Sequence, residues 1–269
     1  MRDCEGESRA RAPPSPWASL ELSRYLLAIK DSSFLRVGAA AGVLSAVVAI
    51  VFNAIHPRAS SSALNDVAEL LRLVGGSRSW RFVHLASVLA TLLGTVAIVA
   101  VLWSMLLQGP GRWPVVAGVL LAFTTPILLL SVGLDGFAIK SVADRWVDAG
   151  PAEREGLLAA ATALRSVDVA ALNLVMIGQF GLTAIALGVA SWSSSLYGRQ
   201  AGLVAVIGGL LGVASGTLQA LSGRLTTVSY LVLLTASLAL FTVWLSLVSF
   251  MLWRKADSVS TARSVLVHA

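Results

Sequence analysis

The sequence predicts an all-α fold: a polytopic transmembrane helix bundle with six spanning helices. Three observations carry this. Hydrophobic residues make up 57% of the 269-residue chain and charged residues only 13%, whereas a soluble domain carries about 25% charged residues. The mean hydropathy is +0.81. The apolar residues also gather into six long runs, each near the ~20 residues an α-helix needs to cross a hydrocarbon core of about 30 Å. None of the runs alternates with the two-residue period of a membrane barrel strand.

In chain order, Met1 to Pro16 is charged and then proline-rich, which predicts a disordered leader. Trp17 to Lys30 interleaves Trp17, Leu20, Leu26 and Leu27 with Glu21, Arg24 and Lys30. It reads either as a short helix lying in the membrane interface or as a frayed continuation of the leader. Residues 1–33 are thus expected outside the membrane, 34–255 as the six-helix domain and 256–269 as a tail. The first apolar run lacks a small-residue cleavage site, so it is expected to stay as an anchor.

The six runs are Phe34–Ile55, Phe82–Leu107, Val115–Ile139, Val169–Ser191, Ala201–Leu221 and Tyr230–Trp253. Aromatics cluster at their ends, as in the belts that anchor helices at headgroup level. The connection His56 to Arg81 is long enough for a helix of its own, capped by Ser62, apolar on Leu64, Val67, Leu70, Leu71 and Val74, and ended by Gly75. The third and fourth helices are expected to continue past the bilayer as a protruding helical hairpin. It turns at Ala149-Gly150-Pro151, with Pro151 suited to the first helical position. Pro126 predicts a kink in the third helix. Gly208, Gly212 and Gly216 form a smooth face on the fifth, for close packing within the chain or, in the alternative, a homo-oligomer seam.

With both termini on the same side, that side holds eleven Lys and Arg and the other nine. This bias favours cytoplasmic N- and C-termini in the plasma membrane. The net charge of +6 is spread over loop edges and termini without a basic stripe or interleaved aromatics, so membrane lipids rather than nucleic acid are the expected partner. The single cysteine, Cys4, excludes an internal disulfide and a thiolate metal cluster. No phosphate loop, nucleotide fingerprint or nucleophile elbow is present, so no catalytic residue and no cofactor is expected.

Polar residues collect at the ends of the runs on one side of the membrane. Helix alternation puts Asn53 and His56, Trp80 and His84, Asp135, Asn173 and Gln219 at the same face, the non-cytoplasmic one under this topology. Arg165, Asp168 and Arg224 join them. Ionisable groups inside spans are costly and turn inward. Three readings follow: a satisfied polar network that secures helix ends, a vestibule for a small solute, ion or lipid headgroup, or a metal site of His56, His84 and Asp135. Two histidines and one carboxylate are a known zinc ligand set, although no diagnostic spacing links them here.

The string Asn53-Ala54-Ile55-His56-Pro57, then Trp80-Arg81-Phe82-Val83-His84, then Asp135-Gly136 resembles a family of uncharacterised bacterial six-helix integral membrane proteins, grouped as a domain of unknown function. The resemblance spans most of residues 34–255 and implies that fold. It also implies that His56, Trp80, His84 and Asp135 belong to one feature. The function expected is a non-enzymatic bundle with a polar vestibule whose small-molecule ligand is unknown. A small-solute or ion transporter and an intramembrane metal-dependent hydrolase are the alternatives.

Overall fold

A computed structural model of the chain describes the backbone of residues 16–57, 65–109 and 111–268, and the side chains of residues 32–57, 65–109 and 111–257. Among these residues every regular element is helical, and six helices are long and apolar enough to cross a membrane. They are Ser32–Ile55, Trp80–Leu106, Arg112–Asp148, Pro151–Ser193, Gly198–Ser222 and Thr227–Asp257. The chain is an all-α multi-pass membrane protein.

Helix α1 runs Pro16–Ile55 without a break. The segment Trp17–Lys30 is therefore continuous with the first span rather than a separate interfacial helix. Neither glycine nor proline interrupts Asp31-Ser32-Ser33, so nothing there stops the hydrogen-bond ladder. The leader before Pro16 lies outside the described residues. The loop helix, α2, covers Val67–Gly76 and starts later than its sequence pattern suggests. Ser62 and Leu64 lie outside the described residues, and the cap is Asp66, whose carboxylate accepts from the backbone N–H groups of Ala68 at 2.9 Å and Glu69 at 3.1 Å. A carboxylate here satisfies two orphan donors and meets the positive end of the helix.

The second span is α3 (Trp80–Leu106). The third begins as α4 (Arg112–Gly133), passes through a π-helical turn at Leu134–Ile139 and continues as α5 (Lys140–Asp148). The chain reverses at Ala149-Gly150, and Pro151 opens α6 (Pro151–Ile177). This is the protruding hairpin, with α2 packed against it. A satellite core of Leu70, Leu71, Val74, Ile139, Ala143, Trp146 and Leu157 holds the three helices together. The buried Lys140 ammonium donates to the carbonyls of Val74 at 3.0 Å and Gly75 at 3.2 Å, closing the C-terminal end of α2.

The fourth span continues from α6 through a second π-helical turn, Gly178–Thr183, into α7 (Ala184–Ser193). Helix α8 (Gly198–Ser222) is the fifth span and ends on Gly223, whose φ of +64° is the left-handed conformation a glycine takes without strain. A third π-helical segment, Thr227–Leu234, leads into α9 (Thr235–His268), and the backbone stays helical through the C-terminal tail.

The first span packs between the second and the sixth, and the fifth packs against the fourth and the sixth. The main core lies at the end of the bundle that carries the termini, around Ala97, Val101, Leu187, Trp244, Val248 and Leu252. The fifth-span glycine face is internal, but it is made by Gly209, Gly212 and Gly216 together with Gly202 and Ala205. A Cβ on Gly212 would lie 2.5 Å from the Phe180 carbonyl oxygen, and one on Gly216 would lie 2.9 Å from that of Asn173. Gly208 turns the other way, toward Leu240 of α9. Residues 202, 205, 209, 212 and 216 recur every three or four positions, the spacing of one helix face, and 208 falls between them.

Candidate functional site

The polar cluster sits at the hairpin end of the bundle, where α1 ends, α3 begins and the first π-helical turn interrupts the third span. Pro57 stops α1 directly after His56. The His56 ring is half-buried and its Nδ1 donates to the Pro57 carbonyl at 2.8 Å. It meets two rings edge-on, Trp80 at 5.1 Å and His84 at 5.2 Å between centroids. Burial holds the His56 imidazole below the ordinary histidine range, and the neighbouring His84 pushes the same way.

Trp80 and His84 lie one helical turn apart on α3, so their side chains share a face. Both are buried, and their rings stack at 5.0 Å with an angle of 28°. His84 Nδ1 donates to the Trp80 carbonyl at 2.8 Å, while the Trp80 indole N–H donates to the Asp135 carbonyl at 2.9 Å. His84 Nε2 lies 3.1 Å from Asp135 Oδ2. The third span reaches His84 only because residue 136 is glycine: a Cβ there would stand 2.3 Å from the His84 Cβ. The π-helical turn at Leu134–Ile139 adds one residue to a helical turn and re-aims Asp135 within the span.

Of the other polar residues at this end, Asn53 and Gln219 bond elsewhere, while the Arg165–Asp168 pair acts electrostatically on His84 and Asp135. Asn53 is exposed and donates to Ala49 of its own helix at 2.7 Å, so it stands outside the site. Gln219 is buried and donates to Ser215 Oγ at 3.0 Å and to the Ser229 carbonyl at 3.3 Å, bracing α8 against the third π-helical segment. Asn173 faces the α6–α8 contact, and Asn173 Oδ1 and Gln219 Oε1 are buried without a hydrogen-bond partner among the described residues. The two arginines nearest in the fold make their ion pairs with other carboxylates, and Arg165 still acts on Asp135 through space. Arg81 reaches Asp144 at 2.9 Å on the surface, and Arg165 holds Asp168 at 2.6 Å in the interior. Ser131 also donates to Asp168 at 2.9 Å. The sequence offered no signal for Ser131 beyond its place one helical turn before Asp135.

Deeper in the membrane, Thr124 bonds to the Leu120 carbonyl and to the Gln179 amide oxygen. Thr124 precedes the in-helix Pro126, and Gln179 lies in the second π-helical turn. Asp135, Ser131 and Thr124 share one face of the third span, so polar contacts run from the hairpin end toward the bilayer centre. Two shallow surface cavities lie away from this file. One, of about 400 Å³, is lined by Asp144, Arg145, Asp148, Ala149 and Glu153 on the hairpin. The other, of about 290 Å³, lies at the opposite end beside Gln108, Arg112 and Ser194. Compared with protein-family models, curated proteins and solved structures, the chain matches none.

Proposed function

We propose that this multi-pass protein resides in a bacterial plasma membrane with both termini cytoplasmic, and is a non-enzymatic bundle that binds a small polar ligand at its non-cytoplasmic end. The observation that carries the reading is the convergence of His56, Trp80, His84 and Asp135 from three chain segments on one point, with a histidine–carboxylate contact of 3.1 Å inside a span. Burying such groups in lipid is costly, and a bundle held together by packing alone has no need of them. The test is a thermal-stability screen of detergent-purified protein against small ions, metabolites and lipid headgroups. A stabilising solute whose effect disappears in Asp135→Asn and His84→Gln supports the reading. Stabilisers that act equally on all three proteins would defeat it.

Transport of a small solute or ion is the second reading. It is favoured by the polar file Asp135, Ser131, Thr124 and Gln179, which takes in the in-helix Pro126 and two π-helical turns, features at which helices can bend. Uptake of the stabilising solute into proteoliposomes, abolished by Gln179→Leu, is the expected result. Binding without flux would leave a receptor rather than a transporter.

A further inference from the structure

We propose that His56, His84 and Asp135 bind one divalent transition-metal ion. The inference rests on the reading of this end of the bundle as a ligand site, and it names the ligand. One donor atom from each of the three residues lies within 4.8 Å of the other two. Donors about 2.1 Å from a common ion, at tetrahedral or octahedral angles, stand about 3.0–3.4 Å apart. The His84–Asp135 edge of the triangle, at 3.1 Å, already has that length.

The tautomers suit metal ligation. A carbonyl can only accept, so Nδ1 of each histidine carries a proton, given by His56 to Pro57 and by His84 to Trp80. In the neutral ring the remaining lone pair is then on Nε2. A backbone carbonyl on the far nitrogen is the outer-shell partner that sets tautomer and ring angle in histidine metal sites. His84 Nε2 so arranged would direct a lone pair at a carboxylate oxygen, and a positive charge must lie between them. A proton shared by His84 and Asp135 would satisfy that pair, but it gives no role to a second imidazole held against the first with its own Nδ1 tied down. A metal ion uses all three groups.

The surroundings support the same geometry. Trp80 stacks on His84 and pins the backbone of Asp135, linking two of the three ligand-bearing segments. Gly136 admits His84 against the third span. His84 is buried, whereas the Asp135 side chain retains 27% exposure, so the cluster is not sealed. Two imidazoles and one carboxylate favour zinc, iron or a neighbouring first-row ion over magnesium or calcium, which prefer all-oxygen shells. Three protein donors leave at least one coordination position for water or a further ligand.

The test uses the full chain in detergent, purified on a histidine-free affinity tag, with elemental analysis of the purified protein. Chelator-stripped protein is then titrated with Co²⁺ followed by its visible d–d absorption, and with Zn²⁺ in competition. The expected result is one ion per chain, lost in His56→Gln, His84→Gln and Asp135→Asn. Gly136→Ala should weaken binding about 10–100-fold, as outer-shell changes do, and His268→Ala should leave it unchanged. His56 lies just past the end of its helix and is only half-buried, so His56→Gln should keep the melting temperature of the stripped wild type while losing the cobalt spectrum. Substoichiometric metal, or a spectrum that survives His56→Gln, overturns the proposal. If a solute other than a metal then stabilises the protein through His84 and Asp135, the metal inference fails and the ligand-site reading stands. If neither binds, both fail.

Discussion

Replacing Gly212 with alanine tests how tightly the fourth and fifth spans are joined. A Cβ at this position would meet the Phe180 carbonyl oxygen at 2.5 Å, its carbon at 2.7 Å and the Gly181 nitrogen at 3.0 Å. All three are backbone atoms, which cannot step aside as the end of a side chain can. Relief requires the two helices to part by about 0.7–1 Å, and a gap of that size forfeits a quarter to a half of the dispersion energy of each contact along the seam. Overpacking of this kind costs about 1–3 kcal/mol, and removing a glycine from a helix interior returns about 1 kcal/mol. The net loss is up to about 2 kcal/mol, a fall in melting temperature of up to roughly 8 °C. Gly156 in α6 provides the control, because a Cβ there would meet nothing within 4 Å. Gly156→Ala should raise the melting temperature by about 1–4 °C through the unfolded-state entropy alone. Tryptophan fluorescence during heating in detergent reads both variants. A Gly212→Ala protein that gains as much melting temperature as Gly156→Ala would refute the close-packed seam; Gly212→Leu should be worse than alanine, since the larger side chain has nowhere to go.

Three further outcomes are expected. In chelator-treated protein, Asp135→Asn and His84→Gln should be non-additive, with a coupling of about 1–3 kcal/mol in a double-mutant cycle; additive losses would mean the two side chains do not interact. For His56, the folded value lies below the unfolded one of about 6.5, so folding favours the neutral ring. Its contribution is complete above about pH 6.5 and declines as the pH falls below that; the metal-free wild type should therefore lose more melting temperature between about pH 7 and 5 than His56→Gln does, and equal slopes would contradict this. Finally, Cys4, the sole thiol, should react with an impermeant maleimide only after cells are permeabilised; labelling of intact cells would reverse the topology.

Much of the architecture was legible before any coordinates. Six apolar runs and the hairpin turn at Gly150-Pro151 are local properties of composition and length, because lipid obliges each span to satisfy its own backbone within one continuous helix. The same logic placed His56, Trp80, His84 and Asp135 at one end of the bundle, since successive spans alternate in direction. What sequence could not decide was partnership. Asp135 had arginine and histidine rivals at the same end of the bundle, and only the packing shows that Arg81 pairs with Asp144 and Arg165 with Asp168. The run of glycines in α8 announced close packing but not its face: Gly209, rather than Gly208, meets the fourth span, because rotation of a helix about its axis is set by all its neighbours at once. The π-helical turn beside Asp135 was equally invisible. Its hydrogen bonds differ from those of an α-helix by one residue in register, a difference too small for local propensity to choose, and it is the contact of Gly136 with His84 that the shifted register serves.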